Sequence, residues 1–144
     1  MLEWTIQLGT TLSESSQVVA VDSNNNVYIA GYTYGALDGI KAGSNDAFLA
    51  KYDSAGTKEW TKQLGTTGPD STESVAIDSN NNVYIAGFTS GALDGTSAGS
   101  NDAFLAKYDS DGTKEWTKQL GSTGNDIAYG VAVDSNNNVY ITGY

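Results

Sequence analysis

Trp4, Trp60 and Trp116 stand 56 residues apart, and Gly9, Gly65, Gly121 and Asp22, Asp78, Asp134 keep the same step. This period constrains the fold more than any other feature. Units of this size bury their apolar faces only by stacking on their neighbours, so the whole chain must be read as an array. Residues 42–65 and 98–121 are identical except for Ala55 against Asp111. Recent duplication or deliberate construction yields copies this close.

Each unit reads as four short strands. In the second copy these are SVAID (74–78), NVYIAGFT (82–89), DAFLAKYD (102–109) and KEWTKQLG (114–121). Turn residues punctuate every boundary and no helical period is sustained. The second and third strands carry apolar groups on both faces, Val83 and Ile85 against Tyr84 and Phe88, then Leu105 against Phe104 and Tyr108. Strands apolar on both faces suit sheets stacked on other sheets. Repeated four-stranded antiparallel sheets of this length are the signature of a β-propeller.

The pattern SVAIDSNNNVYIAGFTSG, followed by DAFLAKYDSDGTKEWTKQLG, resembles the bacterial "seven-bladed β-propeller" (SBBP) repeat family. It is similar in layout to NHL-type blades. The resemblance covers nearly the whole chain. It implies strands A to D from the inside of a blade outwards, a secreted or cell-surface parent, and more blades than this chain supplies. It says little about activity.

In that frame the expected fold is all-β and the chain forms one repeat domain, 1–144. Residues 1–9 are a lone outer D strand, 10–65 the first blade, 66–121 the second, and 122–144 the A and B strands of an incomplete blade. Two blades leave outer faces bare and strand edges open, and open edges template pairing. The expectation is a homo-oligomer, a dimer first, closed into a ring by strand exchange across a rotation axis. Leu2, Trp4, Ile6, Val139, Ile141 and Tyr144 are the candidate interface residues. Leu2 and Ile6 replace lysines of the later copies (Lys58 and Lys62, Lys114 and Lys118).

Composition removes several function classes. Net charge is −10, and all 7 basic residues are lysine. Such a surface repels phosphate backbones and anionic lipid, so neither nucleic acid nor membrane is an expected partner. With no histidine and no cysteine, the usual nucleophile systems, zinc sites and disulfides are excluded. MLEWTIQLG does not read as a signal peptide, no apolar run is long enough to cross a bilayer, and localisation stays unknown. No enzyme, metal or cofactor is expected.

The remaining chemistry is weighed against structural uses. DSNNN has alternating oxygen ligands, as calcium loops do, but lacks their glycine and distal glutamate. A hairpin turn is preferred, because Asp caps local amides and Asn tolerates left-handed backbone. A polar aggregation tract is disfavoured between strong strands. DSAGT and DSDGT are read as C–D turns. Glu3, Glu59, Glu115, Asp46 and Asp102 recur with the repeat, whereas a glycosidase needs one distinct carboxylate pair. The tryptophans read first as packing between blades and second as sugar platforms. The D–A and B–C segments vary most between copies. If a small ligand or glycan binds, they are the expected place, with Tyr34, Asp38, Lys41, Asp70, Asp94 and Asp126 as candidates. The leading reading is a non-enzymatic, self-assembling structural propeller fragment, natural or engineered. The alternatives are a lectin-like binding module and a calcium-stabilised surface protein.

Overall fold

A computed structural model describes residues 3–144. It is all-β, with ten strands: β1 Glu14–Val21, β2 Val27–Thr33, β3 Asp46–Tyr52, β4 Lys58–Leu64, β5 Asp70–Ile77, β6 Val83–Thr89, β7 Asp102–Tyr108, β8 Lys114–Leu120, β9 Ala128–Val133 and β10 Val139–Gly143. They form a four-stranded sheet β1-β2-β3-β4, a second one β5-β6-β7-β8, and a hairpin β9-β10, with every ladder antiparallel.

The sheets stack face to face. Tyr28, Ala30, Ala47, Leu49 and Leu64 of the first sheet share one buried cluster with Val83, Ile85, Phe104, Ala106 and Tyr108 of the second. Ala86 and Ala103 of the second sheet pack with Ala128, Val131 and Ile141 of the hairpin. Both faces of the B and C strands are thus apolar because each faces a different neighbour. Tryptophan joins the sheets as well. Trp60 sits edge-on to Tyr28 at 6.0 Å and reaches across the junction to donate its indole N–H to the Ser110 carbonyl at 3.3 Å. Gly112, at φ 81°, leaves room for that ring, which a Cβ there would strike.

The innermost strands are longer than the sequence reading allows. The second begins at Asp70 rather than Ser74, with a bulge between Thr72 and Ser74. Gly87 lies opposite, and a Cβ there would fall 1.9 Å from the Ser71 carbonyl oxygen. Gly31 and Gly143 meet the same backbone approach in the other copies. The polar residues 70–73 look like loop, but they are strand, and Asp70, Ser71 and Thr72 are buried.

Residues 3–9 depart from the expected D strand. They carry no strand pairing, because no described strand flanks them. Their side chains nevertheless take D-strand positions: Trp4 donates to the Ser54 carbonyl at 3.1 Å and lies over Gly56, and Leu8 packs against Phe48, Ala50 and Tyr52. Leu2 lies outside the described residues.

Candidate functional site

The variable D–A and B–C loops touch one another. A Cβ on Gly43 would strike Thr66 and Thr67, and one on Gly99 would strike Ser122 and Gly124. Asp70 N–H donates to the Asn45 carbonyl at 2.9 Å, and the Asn45 side-chain amide returns a bond to the Asp70 carbonyl at 2.9 Å. Of the six residues expected on this face, Tyr34, Asp38, Lys41 and Asp94 are exposed, Asp126 is half-buried and Asp70 is buried.

Asp70 is fully buried and clasps its own loop, accepting from Thr66 N–H at 2.7 Å. Burial pushes its carboxyl above the usual range, against the lowering effect of hydrogen bonds from Thr89 and Thr66, and nearby Asp46 pushes it further up. Asp126 makes the same clasp, accepting from Ser122 N–H at 2.8 Å. Glu14 holds the corresponding place in the first sheet and accepts from Thr10 N–H at 3.1 Å. Asp70 is therefore corrected from a surface ligand candidate to an interior loop anchor. The sequence misled because these residues stand among Thr, Ser and Gly, which read as open loop.

Asp38 is engaged by the Gln63 backbone N–H at 2.9 Å. Asp94 lies 3.7 Å from the Lys118 ammonium in an exposed pair. Tyr34 and Lys41 are exposed, with Tyr34 edge-on to Tyr32 at 5.8 Å. Of the interface candidates, Trp4, Val139 and Ile141 are half-buried, while Ile6 and Tyr144 are exposed.

Every loop class has its own carboxylate clasp. In the A–B turn, Asp22 Oδ1 accepts from Asn24 N–H at 2.8 Å and Asn26 N–H at 2.9 Å. Its Oδ2 takes Asn26 Nδ2 at 2.9 Å and the Tyr28 hydroxyl at 3.1 Å. Asn25, Asn81 and Asn137 carry φ of 63°, 62° and 63°. Both oxygens that a cation would need are thus already bonded within the turn. In the C–D turn, Asp53 accepts from Ala55 and Thr57 N–H at 2.9 and 2.8 Å. In the B–C loop, Asp46 accepts from Ala42 and Gly43 N–H at 2.7 and 3.1 Å. Among the described residues no cluster of three or more acidic groups is arranged to hold a metal ion.

Sequence reasoning missed two recurring partners. Gln63 links three segments, donating to the Gly35 carbonyl at 3.0 Å and Asp46 at 2.7 Å while accepting from Leu37 N–H at 2.9 Å. Lys51 is buried, with its ammonium 2.7 Å from Glu59 and 5.7 Å from the Tyr28 ring centre. Lys107 and Glu115 repeat that pair at 2.7 Å. The signal was the period itself, since Gln7, Gln63 and Gln119 recur with the tryptophans. The glutamates flagged beside Trp60 and Trp116 are therefore ion-pair partners of lysines on the adjacent strand.

Comparison with known proteins agrees with this architecture. A family model described as a beta-propeller repeat matches residues 3–37, 59–93 and 115–144. The chain is 29% identical, over 98% of its length, to an uncharacterised WD repeat-containing protein of Acanthamoeba polyphaga mimivirus, of which it spans 13%. It is 34% identical, over 94% of its length, to the regulatory protein FlaEY of Caulobacter vibrioides, of which it spans 16%. On its three repeat matches, the chain belongs to the SBBP β-propeller repeat family.

Proposed function

We propose that this chain is a non-enzymatic structural module that builds a closed propeller ring with further copies of itself. One observation carries the reading: the recurring acidic residues are bonded within their own repeats, while apolar faces at both ends of the stack lie bare. The loop carboxylates hold turns, the strand glutamates hold lysines, and the tryptophans join sheets. What remains uncommitted is packing surface, such as Val19, Val21 and Tyr140. Burial of such surface is the dominant drive for association. The relatives, named for WD repeats and for regulation, fit a repeat module that is not an enzyme.

Light scattering on a sizing column tests it. The expected particle has twice the 15.1 kDa chain mass, with a circular dichroism spectrum of β structure. A 15.1 kDa species with the same β content overturns self-assembly.

A further inference from the structure

The junction between the first two sheets shows what each sheet face requires. One face of the first sheet sends out Val18, Tyr28 and Ala30, and the second sheet receives them with Val75, Ile77, Val83 and Ile85. The 56-residue register places the same two half-junctions at the ends of the stack. The sending half recurs on β9–β10 as Gly130, Tyr140 and Thr142, and the receiving half recurs on β1–β2 as Val19, Val21, Val27 and Ile29.

Exposure marks both halves as unfilled. Tyr28 and Tyr84 are 0% and 4% exposed, whereas Tyr140 is 58% exposed. Val83 and Ile85 are fully buried, but Val27 and Ile29 are only half-buried. Val19 and Val21 are 62% and 57% exposed, while Val75 and Ile77 are half-buried.

A second observation gives the same match. The Ser23 hydroxyl donates to Asn81 Oδ1 at 3.1 Å, and the Ser79 hydroxyl donates to Asn137 Oδ1 at 2.9 Å. In each case the serine of one A–B turn donates to the asparagine of the next. Among the described residues, Ser135 finds no such acceptor and Asn25 no such donor. Moreover, the outer half of the receiving face is already covered by Trp4 and Leu8, which leaves bare only the half that an A–B hairpin fills. The other end of the stack presents an A–B hairpin.

We propose that the outer face of β9–β10 docks a second copy of this chain. It seats on Val19, Val21 and Ile29 of that copy, with Ser135 donating to its Asn25. This rests on the ring-forming reading and adds a direction to it: the contact joins two different surfaces, and two such contacts related by a two-fold axis close the pair. Leu120 lies outside the interface.

Two variants test the direction. Val19→Glu with Val21→Glu blocks the receiving end, and Tyr140→Glu with Thr142→Glu blocks the sending end. Each alone is expected as a single chain by native mass spectrometry. Mixed, they are expected to give a 1:1 pair through the one junction left intact on each. Leu120→Ser is expected to leave the wild-type particle unchanged. A wild-type oligomer that neither double variant alters overturns this inference but leaves the ring reading standing. Single chains that do not recover on mixing also overturn it. A monomeric wild type overturns both. Because the chain has no cysteine, a trap covers the case of a misfolded variant. Asn25→Cys with Ser135→Cys is expected to cross-link between chains on oxidation, and Ser79→Cys with Asn137→Cys is expected to do so within one chain. A wild-type-sized oligomer of Asn25→Cys/Ser135→Cys that yields no inter-chain cross-link overturns the inference.

Discussion

The Trp60 indole donates to the Ser110 carbonyl 50 residues downstream at 3.3 Å, and Trp4 makes the same bond to Ser54 at 3.1 Å. One bond type therefore fixes two successive units, although residues 3–9 form no ladder. The tryptophan packs by its ring and orients by its N–H, as buried indoles commonly do. Trp60→Phe keeps the edge contact with Tyr28 and removes the bond. The expected loss is about 1 kcal/mol by urea unfolding. Trp60→Ala also empties the space over Gly112 and is expected to cost about 3 kcal/mol. Equal losses in the two variants would show that the ring contributes nothing beyond its hydrogen bond.

Leu64 and Leu120 occupy the same position in identical strands, yet they are 8% and 56% exposed. Leu64 shares a cluster with Phe104 of the next sheet, and among the described residues no corresponding strand packs on Leu120. Leu64→Ala is expected to cost about 3 kcal/mol through lost transfer energy and a cavity. Leu120→Ala is expected to stay within about 0.5 kcal/mol, as surface changes do. Paired urea titrations on the two variants check the difference, and a comparable loss at Leu120 would mean that something covers it.

That pair shows what the sequence could and could not convey. The period, the four-strand unit and the turn character of DSNNN were all legible, because they depend on residue type and spacing. Exposure at the two ends was not, since KEWTKQL is the same string in β4 and β8 and only the neighbours differ. The start of β5 was hidden for another reason: Asp70, Ser71 and Thr72 are polar yet buried, and composition alone reads them as loop. Gln63 and Lys51 recur with the period, but the groups they bond to depend on which strands lie beside them, which the period alone does not show.

Asn81 sits at φ 62° and accepts the bond from Ser23 that ties one turn to the next. A left-handed backbone costs an alanine about 1 kcal/mol, whereas glycine adopts it freely. Both Asn81→Gly and Asn81→Ala lose the link to Ser23. Asn81→Ala is therefore expected to be less stable than Asn81→Gly by about 1 kcal/mol. Thermal melts of the two variants measure it, and indistinguishable midpoints would locate the cost in the link rather than in the backbone.

Acid should act on the loop clasps with opposite signs. At Asp22 and Asp78 burial raises the carboxyl, but bonds from Asn26 and Asn82, from the neighbouring turn amides and from Tyr28 and Tyr84 outweigh it and hold both below the usual range. Each therefore stabilises the fold above its unfolded value of about 3.9 and loses that contribution as the pH falls through its folded value. Asp70 runs the other way. Burial raises it, so the folded chain takes up a proton first, and its contribution to stability grows as the pH falls through its folded value towards the unfolded one. At Glu14, in the same repeat position, desolvation also raises the carboxyl, but hydrogen bonds from Thr10 and Thr33 outweigh it and hold it below the usual range. Asp70→Asn removes the opposing contribution. Its stability is expected to fall more steeply than that of the wild type as the pH falls towards the unfolded carboxylate value of about 3.9. Asp78→Ala is expected to be weaker at neutral pH by about 2 kcal/mol and flatter below about pH 4. Urea unfolding across this range distinguishes them, and an unchanged acid slope in Asp70→Asn would mean that the buried carboxyl keeps an ordinary affinity for its proton.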